Sequence, residues 1–157
     1  MSVLGRAIRP SHALAATVLA VVVSGCGEGS GVGEGATVSV YVSAPLCAGA
    51  KQELARHGAQ AGSVRVRVVC VKDAEERGGR LDLSTAGANA RRATEDSTTV
   101  GYIEAPGPEA SFTRPILDEA QIALFTDRSG ADAMATVLDA LASRAGEAPR
   151  EAVWAGR

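Results

Sequence analysis

The sequence is short of positive charge, and this shortage excludes one common class of partner. The chain has 157 residues, and its 16 Lys and Arg residues are outnumbered by 18 Asp and Glu residues. Lys51 and Lys72 are the only lysines. Proteins that bind nucleic acid need clustered Lys and Arg to displace counterions, so nucleic acid is not expected as a partner. The length and the 46% hydrophobic content suit a single domain with one core.

Motifs of nucleotide binding and covalent catalysis are also missing from the sequence. It contains no GxSxG, no P-loop and no GxGxxG after a predicted strand. The glycine-rich "GEGSGVGEG" of residues 27–35 precedes the first predicted strand, and its glutamates would repel phosphate. No pairing of a nucleophile with a base is visible. The sequence therefore predicts a protein that is not an enzyme and that uses no cofactor.

The amino-terminal apolar run is too short to cross a membrane. Residues 13–23 are apolar except for Thr17, whereas a membrane-spanning helix needs about 20 residues. Behind Arg6 and Arg9, this run is typical of a secretory signal peptide. It ends in "VSGC", residues 23–26. These four residues resemble the bacterial lipobox, an aliphatic residue and two small residues before the cysteine whose thiol accepts the lipid.

We therefore expect residues 1–25 to be a lipoprotein signal peptide and Cys26 to be the lipidated first residue of the mature chain. Residues 26–36 would be a flexible tether, because Gly and Ser give coil-like reach. Acyl chains would anchor the protein at the extracytoplasmic face of the cell membrane. An ordinary signal peptide that contains a cysteine and a buried amino-terminal helix are the alternatives.

Beyond the tether, β-branched runs alternate with amphipathic segments. Polar or turn-rich loops are predicted at 73–80 and 104–111. Ser84 or Thr85 is expected to cap the second predicted helix. Pro115 is expected in the first turn of the third predicted helix. The predicted strands are Thr37–Ser43, Val64–Val71, 99–103 and 122–126. The predicted helices are 47–60, 84–96, 112–120 and 131–145.

Strands separated by helices imply right-handed crossovers and a parallel sheet. The predicted fold is an α/β protein, a three-layer α/β/α sandwich whose doubly wound parallel sheet has about four strands in the order 2-1-3-4. It would occupy residues 37–146 as a single lobe, followed by a tail at 147–157.

The scarce cysteines and histidines limit the chemistry of this lobe. Cys47 and Cys70 are too far apart in sequence for a CxxC redox motif, and two thiols without histidine partners do not make a zinc site. The two cysteines lie near strands predicted to be neighbours, so a disulfide is open to them in an exported protein. Two buried free thiols are the alternative. His57 and the adjacent carboxylates Glu95 and Asp96 are expected to be solvated.

Several of these segments resemble the substrate-binding lipoproteins of ABC transporters, a type I periplasmic-binding-protein-like family, in the branched-chain amino acid type. The likeness covers most of residues 37–145, and the resembling segments occur in the family's order. They are "VSVYVSAPL", "ANARRATEDSTTVGYIEA", "PILDEAQIALFT" and "GADAMATVLDAL".

The departure from the family is large, because the segments that would build a second lobe are missing. The predicted fourth strand is followed within a few residues by the helix that resembles the family's final first-lobe helix. The resemblance therefore implies one lobe where the family has two. Its candidate ligand-binding residues are Ser43, Glu104, Ser111 and Thr126. One lobe leaves half of a ligand in water, and Pro106 and Pro108 remove two backbone donors, so weak binding of an amino-acid-like ligand is implied.

Two functions from different classes follow from these expectations. The first is a membrane-anchored solute-binding lipoprotein with at most weak amino-acid-like ligand binding, whose partner would be an ABC permease. The alternative is an interaction or structural lipoprotein that uses the lobe surface to contact another protein chain.

Overall fold

The structure, a computed structural model, describes residues 35–76 and 80–143. The predicted signal peptide, Cys26, most of the tether and the tail at 147–157 lie outside the described residues. None of the helices in the described part of the chain is long and apolar enough to cross a membrane.

The four longer strands alternate with the helices along the described chain, as the sequence predicts. In chain order the elements are β1 (Thr37–Ser43), α1 (Ala44–Arg56), β2 (Gln60–Ala61), β3 (Val64–Val71), β4 (Glu75–Glu76), β5 (Arg80–Leu81), α2 (Leu83–Glu95), β6 (Thr99–Glu104), α3 (Pro108–Glu119), β7 (Ala123–Thr126) and α4 (Gly130–Ser143).

The main sheet has five strands in the order β2-β3-β1-β6-β7. The four longer strands run parallel, and their order is the predicted one. The difference lies at the edge, where β2 adds a two-residue antiparallel pairing to β3. A separate hairpin of β4 and β5 lies in the segment predicted to be a polar loop. Strands of two residues carry no hydrophobic period, so a sequence pattern does not reveal them.

Helices cover both faces of the sheet, which gives the predicted three-layer sandwich. One core lies between the sheet and the pair α1 and α4, and the other lies between the sheet and the pair α2 and α3. Because both faces of β1 are covered, its residues from Val38 to Ser43 are all buried, as expected for a central parallel strand.

All four helices begin earlier than the sequence prediction, and three of these starts are informative. Helix α1 begins at Ala44, with Pro45 in its first turn, where a missing N–H costs no helical bond. Asp82 caps α2 by accepting from the backbone N–H groups of Ser84 and Thr85. Helix α3 begins at Pro108, so Pro115 lies in its interior and not in its first turn.

Cys47 and Cys70 are joined by a disulfide, with their Cα atoms 5.8 Å apart. Cys47 is buried in the first turns of α1, and Cys70 lies near the end of β3 and is exposed. The bond ties the start of α1 to the neighbouring strand of the sheet. Of the two states that the sequence left open, the structure has the disulfide.

Glycine permits a close approach of α1 and α4. A Cβ atom built on Gly130 would overlap the carbonyl oxygen of Leu46 and lie 3.1 Å from the backbone nitrogen of Ala50. The substitution Gly130→Ala is therefore expected to force the helices apart and to lower the free energy of unfolding by about 3 kcal/mol. Urea denaturation measures this change. Gly107→Ala is the control, because a Cβ there meets nothing within 4 Å; equal effects of the two changes would contradict the expectation.

Candidate functional site

The direction of the chain reverses at the centre of the sheet. From β1 the chain passes through α1 to β3 on one side, and from β3 it returns through α2 to β6 on the other side of β1. The carboxyl ends of β1 and β6 therefore flank a topological switch point. In open α/β sheets, ligands bind in the crevice outside the strands at this point.

Three of the four sequence-predicted ligand residues meet at this edge. Glu104 pairs with Thr126 in the register of β6 and β7. Ser43 follows Val42, which pairs with Ile103, so Ser43 lies beside Glu104 on the next strand. Ser43 and Glu104 are buried, whereas Thr126 is exposed. The fourth residue, Ser111, lies apart from them on an exposed position of α3.

The carboxyl group of Glu104 is fully buried and only partly satisfied. The Thr113 hydroxyl of α3 donates to its Oε1 atom, while its Oε2 atom has no hydrogen-bond partner. Burial raises the pKa of Glu104 to about 7, and the nearby Glu109 carboxylate contributes to the rise. The hydrogen bond from Thr113 and the positive charge of Arg114 act in the opposite direction. The carboxyl group of Glu104 therefore titrates closer to neutral pH than an exposed glutamate does.

Two further groups beside Glu104 are also buried without a hydrogen-bond partner. These are the hydroxyl of Tyr102 and the Oε1 atom of Glu109. Burial raises the pKa of Tyr102, and the charges of Glu104 and Glu109 raise it further, which places both acids near this hydroxyl. Burial also raises the pKa of Glu109, with a contribution from Asp73. We call Tyr102, Glu104 and Glu109 the strand-end cluster.

Sequence reasoning found only Glu104 of this cluster. Tyr102 precedes it by two residues, so the two side chains lie on the same face of β6. Glu109 and Thr113 reach the face through α3, whose start at Pro108 the sequence prediction placed too late. The sequence did contain a signal for the cluster. Glu104 is an acidic residue at the end of an otherwise largely apolar strand, and a second acidic residue, Glu109, follows five residues later.

Leaving these three groups without partners is costly. A buried polar group without a hydrogen bond costs about 1–3 kcal/mol, and a whole domain is stable by only about 5–15 kcal/mol. Strongly shifted pKa values with a definite charged neighbour are typical of functional sites. The cluster offers carboxylate acceptors and a phenol in a site shielded from water, so it suits a ligand with several donors and a positive charge, such as a primary ammonium group.

Asp96 shows the opposite arrangement and is fully used by the fold. Its carboxylate accepts from the hydroxyl of Tyr41, from the guanidinium of Arg67, and from the backbone and hydroxyl of Thr98. Burial opposes its charge, but hydrogen bonds from Thr98, Ser39 and Tyr41 together lower the pKa of Asp96. The sequence prediction that Asp96 is merely solvated was wrong, and its role is structural.

Within the described part of the chain, the remaining titratable residues do not meet the needs of a metal centre. Among residues 35–76 and 80–143, no group of three or more His, Cys, Asp or Glu side chains could hold a metal ion. His57 is exposed, and its Nε2 atom lies 3.2 Å from Glu53 on the same helix.

Comparison of the chain with protein-family models, with curated proteins and with solved structures finds no match.

Proposed function

We propose that the protein is an exported lipoprotein, anchored through Cys26 at the extracytoplasmic face of the cell membrane, whose single lobe binds a small amine at the strand-end cluster. The ligand class is amino-acid-like, as the resemblance to solute-binding lipoproteins implies. A permease of the ABC type would be the partner that receives the ligand.

The disulfide between Cys47 and Cys70 supports the proposed location. Disulfides persist in oxidising compartments and are rare in the bacterial cytoplasm. The two cysteines belong to the lobe itself, whereas Cys26 belongs to the proposed anchor, so the two indications of export are independent.

The observation that carries the binding proposal is the buried, unpartnered Oε2 atom of Glu104 at the switch point. An ammonium group has three donors and a positive charge, and it would satisfy Glu104, Glu109 and the hydroxyl of Tyr102 together. Access requires movement of residues 105–107, which are exposed and connect β6 to α3. Movements of this kind are common in loops that cover binding sites.

Two helices offer a complementary place for the ligand's carboxylate. Helices α1 and α3 both begin at the carboxyl edge of the sheet, and free N–H groups at helix starts attract anions. Ser43 makes no side-chain cap on α1, so its hydroxyl does not occupy these groups. Pro45 and Pro108 each remove one donor, which is consistent with weak binding.

Calorimetric titration of the chain from residue 27 onward tests this proposal, since that chain retains every described element. L-leucine and its amine analogue isopentylamine are expected to bind in the millimolar range, because both carry the ammonium group. The acid analogue 4-methylpentanoate, which lacks that group, is expected to give no binding heat.

Matched variants assign the binding to the cluster. Glu104→Gln is expected to weaken leucine binding at least tenfold, whereas Glu119→Gln, on an exposed position at the end of α3, is expected to leave it unchanged. Absence of heat with leucine and isopentylamine, or equal binding by 4-methylpentanoate, would remove the proposal.

A further inference from the structure

The outer edge of β3 is open along its second half. Strand β2 pairs only with Val64 and Arg65. The backbone N–H of Arg65 bonds to Ala36 on the β1 side, and that of Val66 bonds to Ala59 on the opposite side. Because these directions alternate along a strand, the N–H and C=O groups of Val68 and Cys70 point away from β1. No strand in the described part of the chain pairs with them there.

A groove of about 270 Å³ runs between this edge and helix α2. Asn89 of α2 is largely buried beside it and donates its side-chain N–H to the carbonyl oxygen of Lys72 at 2.8 Å. The side chain of Asn89 therefore donates to a main-chain carbonyl group just beyond β3, as the backbone of a neighbouring strand would. The groove is lined by Cys70, Lys72, Thr85, Ala88, Asn89 and Arg92.

The groove is positively charged. Lys72 and Arg92 line it, both are exposed, and neither takes part in an ion pair among residues 35–76 and 80–143. Asp73 follows Lys72 in sequence but does not line the groove, and two other acidic residues near α2 are engaged elsewhere. Asp96 pairs with Arg67, and Asp82 caps α2 through Ser84 and Thr85. No acidic residue lines the groove.

We propose that this groove receives an extended acidic segment of another protein, which adds as a strand beside β3. The main chain of the segment would bond to the free backbone groups of Val68 and Cys70, as in other cases of strand addition. Its Asp or Glu side chains would meet Lys72 and Arg92. This surface lies on the far side of β3 from the switch point, so the inference goes beyond the proposed amine site and does not depend on it.

Charge selects this occupant over a second copy of the same chain. Two β3 edges brought together would bring the basic residues Lys72 and Arg92 of both copies into one interface. Basic side chains at sheet edges prevent such self-association, while they attract a partner of opposite charge. A small anion would use the two cations and leave the backbone groups unbonded, whereas an extended segment uses both.

Binding of two labelled peptides to the full mature chain tests the inference. The probes are acetyl-(Val-Glu)₄-amide and acetyl-(Val-Lys)₄-amide. The acidic peptide is expected to bind at least tenfold more tightly than the basic one and to slow hydrogen exchange at the amides of Val68 and Cys70 at least tenfold. Inorganic phosphate at the same concentration is expected to leave both amides unchanged.

A charge reversal elsewhere on α2 provides the control for a charge reversal in the groove. The double change Lys72→Glu with Arg92→Glu is expected to weaken binding of the acidic peptide at least tenfold, whereas Arg91→Glu, exposed outside the groove on α2, is expected to leave it unchanged. Glu104→Gln is also expected to bind the peptide normally, which separates this surface from the amine site. The inference is overturned if the basic peptide binds equally or if the two amides exchange as before. It is also overturned if light scattering shows a dimer in which the amides of Val68 and Cys70 are protected without peptide.

Discussion

Replacing Cys26 with serine is expected to release the protein from the membrane fraction or to leave its signal peptide uncleaved. The thiol of Cys26 is the proposed acceptor of the diacylglyceryl group, and serine cannot replace it. Each buried CH₂ of an acyl chain contributes about 0.8 kcal/mol to anchoring, and stable attachment needs more than one chain. Losing the lipid should therefore remove most of the membrane-bound population of the cleaved protein.

Fractionation of cells that express the full chain measures this effect. Cys70→Ser is the matched control, because it removes a cysteine of the disulfide and leaves Cys26 in place. The control is expected to stay in the membrane fraction. A Cys26→Ser protein that is processed normally and remains fully membrane-bound would contradict the lipid anchor.

The second large effect is a dependence of stability on pH that originates at Glu104. Burial raises the pKa of Glu104 from its ordinary value of 4.5 to about 7. Between these values the folded state holds a proton that the unfolded state has released, so the free energy of unfolding falls as pH rises. The slope from this group approaches about 1.4 kcal/mol per pH unit and vanishes above pH 8. The lowered pKa of Asp96 acts in the opposite sense and below pH 4, outside this window.

Glu104→Gln should therefore stabilise the protein at alkaline pH. Glutamine keeps an acceptor for Thr113 and carries no charge to bury, so the variant is expected to exceed the parent by about 2 kcal/mol at pH 8 and to match it near pH 5. Urea denaturation at the two pH values measures the difference, with exposed Glu119→Gln as the control. A variant that is less stable than the parent at both pH values would show that the Glu104 carboxylate is not strained by burial.

A gain in stability together with a loss of binding would identify Glu104 as a functional residue. Residues kept for structure alone destabilise the fold when they are replaced, as is expected for the partners of Asp96. Binding sites often retain groups that the folded state accommodates poorly.

The four long strands and their order could be predicted because β-branched runs and intervening helices leave few arrangements of a parallel sheet. Local chain ends were harder to place. Pro115 was expected in a first turn, but α3 tolerates it in its interior, where the carbonyl oxygen of exposed Ser111 can bond to water. Because Asp82 caps α2, that helix begins at Leu83, one residue before its predicted start.

The candidate site could be predicted only in part, for a similar reason. Glu104, Ser43 and Thr126 end strands, and the register of a parallel sheet brings strand ends together. Glu109 and Thr113 reach Glu104 only through the packing of α3 on β6, which depends on contacts between distant segments and has no periodic signal. The open edge of β3 likewise depends on β2 covering only two of its residues.

The most direct test of the amine site counts the protons exchanged when ligand binds. Leucine is titrated at pH 7 in two buffers that differ in ionisation enthalpy, with the parent chain and with Glu104→Gln. Because a bound ammonium group favours the charged form of Glu104, the parent is expected to release a measurable fraction of a proton per ligand, and the variant is expected to release less. Equal proton release by the two proteins, or no binding heat at millimolar leucine, would contradict the account.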